Sequence, residues 1–161
     1  MATEKQEAEE LLFMPFFMKL PCRFDTGVMS KFFTEMRDHK KIWANKCPKC
    51  GRLSCPPSEL CMPCGNVEMT KWPDWVEQGD EGELMGSSVV YLEFVQPLTG
   101  EMQPVPWAFG SIKLDGGASL THYLVPPDPE ALKQGDRYKA VWEEGERKGW
   151  VHDIIHFEKI E

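Results

Sequence analysis

Four cysteines are the residues best suited to chemistry in this sequence. They form two Cys-x-x-Cys pairs, each closed by a glycine, with ten residues between the pairs. Two thiolates three positions apart can bind one cation when the chain turns tightly between them, and a following glycine permits the positive φ that such turns often need. Two facing turns make a closed tetrahedral sulfur site, which is the geometry of a structural zinc ion. The predicted ligands are Cys47, Cys50, Cys61 and Cys64.

The same pattern has two alternative interpretations. Two disulfides would need an oxidising compartment, which nothing else in the sequence indicates. Four thiolates also suit iron, so zinc is the first choice and iron the second. Since no coordination position is left for water, we expect the metal to hold the fold and not to catalyse a reaction. The other cysteines, Cys22 and Cys55, lack a neighbouring His–Asp pattern and, as free thiols, indicate a reducing cytoplasm.

The overall charge argues against one class of partner. The chain has 161 residues and a formal net charge of −8, which is enough length for one medium domain or two small ones. Nucleic-acid binding is not expected, because neutralising phosphates needs an excess of lysine and arginine. The basic residues near the cysteines are expected to offset the charge of a tetrathiolate site, with anion binding as the alternative. They are Lys40, Lys41, Lys46, Lys49, Arg52 and Lys71.

Residues 1–27 are predicted to be an N-terminal arm. Residues 1–10 are acidic and polar, unlike the basic start of a secretory signal. Residues 11–18 are apolar, but they are too short to span a bilayer and Pro15 interrupts them, so no membrane attachment is expected. Such a run either packs within the chain or docks on a partner chain. The aromatic residues predicted for a partner interface, in the arm and the helix after it, are Phe13, Phe16, Phe17, Phe32 and Phe33.

Three segments follow the arm. Residues 28–45 carry apolar side chains at helical spacing and then a short apolar stretch, which predicts an amphipathic helix and a lead-in strand. Residues 46–71 contain the cysteine pairs and are the predicted zinc ribbon. Residues 72–82, with aromatic, acidic and glycine residues, are predicted to be a linker.

Residues 83–161 are predicted to form a five-stranded OB-fold barrel. Short apolar stretches alternate with turn residues, and a short helix ending at Gly135 is expected between the third and fourth strands. The expected fold class is therefore mostly β: an N-terminal helix, a rubredoxin-like zinc ribbon and a C-terminal barrel. The strands are predicted over residues 84–95, 105–114, 118–125, 136–142 and 150–157.

The sequence indicates no catalytic site. Its four histidines lack the carboxylate or thiol patterns that would complete a site for acid–base or nucleophilic work. Aromatic residues near the barrel loops suit stacking on an adenine ring or anchoring of a protein partner. The candidates for contact with such a ligand or with a partner are Lys49, Arg52, Trp75, Trp107 and Phe109.

The order of parts resembles an acyl-CoA-associated family of zinc-ribbon and OB-fold proteins, long known as a domain of unknown function. The resemblance covers about residues 28–160. Ser58 stands where the family usually has an arginine after two prolines, so the anion contact of that arginine is not expected here. The segment before residue 28 is also longer and more apolar than in the family. The motifs that carry the resemblance are Cys47-Pro-Lys-Cys50-Gly51, Pro56-Pro57, Cys61-Met-Pro-Cys64-Gly65 and Ile112-Lys-Leu-Asp-Gly-Gly117.

The resemblance implies a non-catalytic subunit beside a thiolase-like enzyme or beside an acyl-CoA hydratase or aldolase. Within the family the chain is most similar to zinc-finger subunits of two-component thiolases of anaerobic aromatic degradation, such as that of benzoylsuccinyl-CoA thiolase in the toluene pathway. The leading hypothesis is an auxiliary, scaffolding subunit of a cytoplasmic hetero-oligomer that cleaves a 3-oxoacyl-CoA. The resemblance then implies CoA as the ligand of the contact residues named above. The alternatives are a free-standing acyl-CoA or nucleotide binder and, less compatible with the charge, a nucleic-acid binder.

Overall fold

The computed structural model describes residues 25–69, 75–96 and 100–160. Within these ranges no helix is long and apolar enough to cross a membrane. Several residues singled out above lie outside the described ranges, namely the aromatic residues of the arm together with Cys22, Lys71 and Trp72.

The predicted amphipathic helix is present as α1, Met29–His39. One face of α1 is inserted in the core, where Phe32 and Met36 are each 1% exposed. The helix ends at Lys40, whose φ of 54° is left-handed and whose N–H points back to the carbonyl of Met36 at 3.2 Å. Phe32 therefore packs inside this chain, although the sequence suggested it for a partner interface.

The ribbon is made of two small antiparallel sheets. The first has the order β2-β1-β5 and the second pairs β3 with β4. Strand β5 lies within the stretch predicted to be a linker. This part of the stretch is a strand because its backbone pairs with β1 along three residues and extends the ribbon's own sheet. The strands are β1 (Trp43–Lys46), β2 (Leu53–Ser54), β3 (Leu60–Cys61), β4 (Val67–Glu68) and β5 (Trp75–Glu77).

The C-terminal half is a closed five-stranded barrel, as the sequence predicted. Its strand order is β10-β8-β7-β6-β9, closed by pairing of β9 with β10. Strands β8 and β10 are parallel and the other neighbours are antiparallel. This is the five-stranded Greek-key arrangement of an OB-fold. The strands are β6 (Glu81–Val90), β7 (Trp107–Leu114), β8 (Ser119–Val125), β9 (Arg137–Trp142) and β10 (Ile154–Lys159).

The helix predicted within residues 126–135 is wrong. That segment contains turns only, with the amide of Leu132 donating to the carbonyl of Asp128 at 3.1 Å. Prolines at positions 126, 127 and 129 explain the difference, because each lacks an N–H and disfavours helical geometry in the residue before it. Gly135 still ends the segment, with a left-handed φ of 93°.

Helix α1 packs on the barrel. Its buried residues share one core cluster with barrel residues that include Leu84, Tyr138 and Phe157. On the surface, the guanidinium of Arg147 donates to the carbonyl of Arg37 at 2.6 Å. The helix, the ribbon sheet and the barrel are therefore held by one continuous core.

Gln78 joins the ribbon to the barrel and is 1% exposed. Its backbone N–H donates to the carbonyl of Ile42 at 2.9 Å, and its side-chain oxygen accepts the N–H of Ala118 at 2.8 Å. The barrel's β7–β8 hairpin approaches so closely that a Cβ on Gly116 would lie 2.6 Å from the Cα of Gln78. The Asp-Gly-Gly turn is thus required by the junction between the two modules.

Candidate metal centre and the aromatic groove of the barrel

The four predicted metal ligands converge. The Sγ atoms of Cys47, Cys50, Cys61 and Cys64 all lie within 4.8 Å of one another. Cys50 and Cys61 place their sulfurs 3.8 Å apart, and four sulfurs about 2.3 Å from a tetrahedral zinc ion would be about 3.8 Å apart. The donor set therefore fits one tetrahedral ion with no open coordination position.

Two glycine turns bring the thiols together. Gly51 and Gly65 have left-handed φ values of 72° and 77°, as the sequence predicted. The N–H of Gly51 donates to the carbonyl of Cys47 at 2.9 Å, and the N–H of Gly65 donates to the carbonyl of Met62 at 3.0 Å. Each turn closes one Cys-x-x-Cys pair, and the strands β1 to β4 hold the two turns face to face.

Without a cation, Cys50 ionises more readily than Cys61 and Cys64. A backbone hydrogen bond at Arg52, followed by the thiol of Cys64, lowers the pKa of Cys50 to about 6. The hydrogen bond with Cys50 raises the pKa of Cys64 to about 12, and burial raises the pKa of Cys61. Cys50 thus carries the first negative charge, and a bound cation would favour the thiolate form of Cys61 and Cys64 as well.

Asn45, which the sequence analysis missed, ties the ribbon together behind the cysteines and is 0% exposed. Its side-chain amide donates to the carbonyls of Ser58 at 2.6 Å and Met69 at 2.9 Å, and its oxygen accepts the N–H of Ser58 at 3.2 Å. An asparagine two residues before the first cysteine is a weak signal, because nothing local shows that its partners lie 13 and 24 positions away.

The candidate contacts for CoA do not form one site. Lys49 and Arg52 are exposed on the ribbon, and Trp75 is only 9% exposed in the core. Arg52 lies in a groove with the β7–β8 turn, whereas Trp107 begins β7 at the other end of that strand. Seven residue steps at about 3.4 Å each separate the two ends of β7 by about 24 Å.

The barrel face at that far end carries a row of aromatic rings. The ring of Trp107 lies 5.7 Å from that of Tyr123, and Tyr123 stacks at 6.0 Å on His152. The ring of Trp150 continues the row 4.8 Å from His152. Phe109, 36% exposed, flanks Trp107 at 5.6 Å. OB-folds bind ligands on the face of their second and third strands and on the adjoining loops, and β7 and β8 are those strands here.

An open groove of 640 Å³ runs along this row. The β6–β7 loop contributes one wall, and the segment between β9 and β10 contributes the other. His152 and His156 both line this groove. His122 instead points into the barrel, where its Nε2–H donates to the carbonyl of Val151 at 3.1 Å and burial lowers its pKa.

Asp153 fixes the wall that carries Trp150. This aspartate is 1% exposed, and its carboxylate accepts the backbone N–H groups of Lys148 at 2.9 Å, Gly149 at 2.8 Å and Trp150 at 3.3 Å. Three amide donors to one carboxylate hold a short loop in a single geometry. The ring of Trp150 is therefore positioned before any ligand arrives.

Two family models match this chain on either side of the junction. Residues 34–69 match the family described as "ChsH2, rubredoxin-like zinc ribbon domain", and residues 75–143 match "ChsH2, C-terminal OB-fold domain". Together the matches cover most of the chain in the order that the structure shows. The chain therefore carries a ChsH2-type zinc ribbon followed by a ChsH2-type OB-fold domain, which is consistent with a member of the DUF35 family.

Similar proteins agree with this assignment. A "DUF35 domain-containing scaffold protein" of Methanothermobacter thermautotrophicus is 26% identical over 65% of this chain and 77% of its own length. The solved structure titled "Ltp2-ChsH2(DUF35) aldolase" aligns over 86% of this chain and 97% of that chain, with a TM-score of 0.54 and 19% identity. A DUF35 protein of unknown function from Sulfolobus solfataricus covers 83% and 84%, with a TM-score of 0.51 and 18% identity. At these identities, the two structural matches support the fold alone.

Proposed function

We propose that this protein is a scaffold subunit that binds a catalytic acyl-CoA enzyme. One observation carries the proposal: the loop between β6 and β7 exposes several large apolar side chains that lie close together in the chain. Clustered apolar side chains on a surface mark protein-interaction sites, whereas singly scattered ones are normal in monomers. The loop is held in shape by a bridge between Val95 and Met102 and by an amide–carbonyl hydrogen bond between Gln96 and Glu101 at 2.8 Å. The exposed side chains are Tyr91 (68%), Leu92 (70%), Val95 (55%) and Met102 (57%).

The relatives support the same role at a coarser level. One is named a scaffold protein, and another is part of a structure titled as an aldolase. These names support a catalytic subunit as the partner. That the partner handles acyl-CoA thioesters in a hetero-oligomer is part of the proposal and follows from the resemblance described under the sequence. The finer hypothesis is a thiolase-type partner that supplies the nucleophilic cysteine and cleaves a 3-oxoacyl-CoA, with benzoylsuccinyl-CoA as a specific candidate. A hydratase or aldolase partner is the alternative.

Zinc is the proposed metal. It suits four thiolates in a closed site and has no redox chemistry, and the family name of the ribbon supports it over iron. The bound ion would supply a fixed link between the two glycine turns and no reaction step. Five unbridged thiols among the described residues suit a reducing cytoplasm as the place of action.

The interface proposed from the sequence is revised by the burial of its members. Phe33 is half-buried against the core, so only its outer edge is available to a partner. Phe32 supports α1 from within. The arm residues Phe13, Phe16 and Phe17 lie outside the described residues and remain candidates. The β6–β7 loop surface becomes the first choice for the main contact.

Contact with CoA stays a secondary proposal. Lys49 and Arg52 would take phosphate groups on the ribbon, while Trp107 and Phe109 would stack on a ring at the other end of β7. One CoA molecule would have to span about 24 Å to reach both, so any contact by this chain alone would use one end only. A free-standing acyl-CoA or nucleotide binder, the alternative function, predicts clear CoA binding to the isolated chain in calorimetry.

Complex formation tests the scaffold function directly. The tagged full chain is purified gently from its native host, partners are identified by mass spectrometry, and the complex is rebuilt from purified chains and weighed by light scattering. A thiolase-like, hydratase-like or aldolase-like chain at fixed stoichiometry is expected. Replacing Tyr91 and Leu92 together by serine should abolish assembly, while the control Met85→Ser, 43% exposed on strand β6, should not. The proposal would be refuted if the wild-type chain recovers no enzyme from its host and remains a monomer by light scattering.

A further inference from the structure

The aromatic groove has a composition that the scaffold role leaves unexplained. None of the exposed apolar residues Tyr91, Leu92, Val95 and Met102 of the β6–β7 loop lines it, although the groove residue Trp107 donates to the carbonyl of Leu92 at 3.4 Å. Three prolines, Pro104, Pro106 and Pro127, line it beside the row of rings. An open groove with flat rings and rigid proline walls suits an extended ligand that lies along it.

The spacing of the rings matches an extended backbone. Successive ring centroids from Trp107 through Tyr123 and His152 to Trp150 are 5.7, 6.0 and 4.8 Å apart. The row is therefore at most about 16 Å long, the length of about five residues in a polyproline II helix, which rises about 3.1 Å per residue. Proline-rich segments bind aromatic-lined grooves of this kind in several peptide-recognition domains.

The charge of the groove selects among possible occupants. Among the described residues its lining includes Glu101 and Glu143 and no lysine or arginine. Two cations lie beside the groove: Lys148 is over Trp150 at 5.8 Å from the ring centroid, and Arg147 donates to the backbone carbonyl of Glu143 at 3.1 Å. Phosphate-rich ligands such as CoA or a nucleic acid would meet negative charge here, whereas a basic side chain would be attracted.

Preorganisation lowers the cost of binding a flexible segment. The three amide hydrogen bonds to Asp153 fix the loop that carries Trp150. On the opposite wall the side chains of Gln96 and Gln103 hydrogen-bond to each other. Since neither wall has to be ordered on binding, the entropy loss falls mainly on the ligand, and a polyproline II segment is already extended when free.

We propose that the groove between the β6–β7 loop and the segment joining β9 to β10 binds an extended, proline-rich segment of the catalytic partner that carries a basic residue. The prolines pack on the row of rings from Trp107 to Trp150, and the basic side chain pairs with Glu143. This assignment rests on the proposed scaffold function for its occupant, and it makes the groove a second contact beside the apolar loop surface.

A peptide titration tests the assignment on the metal-loaded full chain. The probe is the synthetic peptide Ala-Arg-Pro-Leu-Pro-Pro-Leu-Pro, followed by nitrogen-15 NMR and by tryptophan fluorescence. Saturable binding is expected, with the largest shifts at Trp107, Tyr123 and Trp150. A peptide with its prolines replaced by alanine, or with its arginine replaced by glutamate, should bind at least tenfold more weakly. No saturable binding of the parent peptide, or equal binding of all three, would overturn the assignment.

Variants of the chain locate the contact. Glu143→Gln keeps the oxygen that accepts the N–H of Gly145 at 2.8 Å, and it should weaken the parent peptide several-fold without changing a peptide whose arginine is leucine. Trp150→Ala should weaken both peptides at least tenfold. The control Tyr91→Ala removes an aromatic side chain that does not line the groove, and it should change neither. If CoA or a single-stranded oligonucleotide produces the same shifts with higher affinity, the groove is a nucleotide site and the proposal fails.

The reconstituted complex separates this inference from the scaffold function. If the complex assembles and Glu143→Lys does not weaken it, the groove assignment is wrong and the scaffold function stands. If the peptide binds as expected but no complex with a catalytic chain assembles, the scaffold function is wrong and the groove is a peptide site of a different system.

Discussion

The buried Asn45 provides the sharpest test of how the ribbon holds its metal. Asn45→Asp keeps the shape and the oxygen that accepts the N–H of Ser58, but it replaces the amide nitrogen that donates to two buried carbonyls at 2.6 and 2.9 Å. Each carbonyl then loses its donor and faces an oxygen. With about 1–3 kcal/mol for each buried group left without a partner, the ribbon should lose about 4 kcal/mol.

This loss should appear as weaker metal binding. Folding of a ribbon this small is coupled to its metal, so the lost folding free energy is subtracted from the binding free energy. At about 1.4 kcal/mol per tenfold, 4 kcal/mol corresponds to a weakening of roughly 10²–10³-fold. The assay is release of zinc to a graded series of competing chelators, read by a zinc-sensitive dye on the full chain.

A matched control removes the effect of charge alone. Asn66, exposed in the second knuckle with a φ of 64°, lies just as close to the cysteines in sequence. Asn66→Asp adds the same charge without touching the two carbonyls, and it should change zinc affinity by less than about tenfold. If Asn45→Asp and Asn66→Asp release zinc at the same chelator strength, the account of Asn45 as the ribbon's buried tie is wrong.

Three further predictions concern the junction, the ligands and the barrel. Gly116→Val should lower stability by about 1–3 kcal/mol in calorimetry, because its Cβ would lie 2.6 Å from the Cα of Gln78; Gly86→Val, with open space at its Cβ, is the control, and equal melting points would contradict the close approach. Cys47→Ser should reduce bound metal well below one ion per chain by elemental analysis; full occupancy would exclude Cys47 as a ligand. Burial lowers the pKa of His122 in the folded chain. As the pH falls below about 6.5, this histidine is therefore protonated more readily in the unfolded chain than in the folded one, and the thermal midpoint should fall. An unchanged pH dependence of the midpoint in His122→Gln would contradict this.

The parts that the sequence predicted well are specified locally. Two Cys-x-x-Cys-Gly pairs define a metal site without knowledge of the fold, because each pair binds through its own tight turn. Strand β7 shows the same principle, since its buried and exposed residues alternate from Ala108 to Leu114 as a half-buried strand requires. Five such stretches with turns between them were enough to predict the barrel.

The parts that the sequence did not predict depend on distant partners. Asn45 and Gln78 are polar residues with few local signals, and the carbonyls and amides that satisfy them when buried come from segments distant in sequence. The two phenylalanines of α1 read equally well as core or interface, and only the position of the barrel decides that Phe32 is inside. The absent helix before β9 is a different error, because its three prolines were visible in the sequence and outweigh the length of the segment.

A chain of contacts joins the metal centre to the aromatic groove, which lies at the far end of strand β7, about 24 Å from the end that meets the ribbon. The metal would fix the ribbon in which β1 pairs with β5, and Gln78 at the end of β5 grips the β7–β8 hairpin. The same two strands carry Trp107 and Tyr123 at their other end. A metal held by four sulfurs has no position for a substrate, but it can stiffen the base of the strands that present the rings. The ribbon and the barrel are therefore interpreted as one rigid support, with the metal at one end and the proposed partner surface at the other.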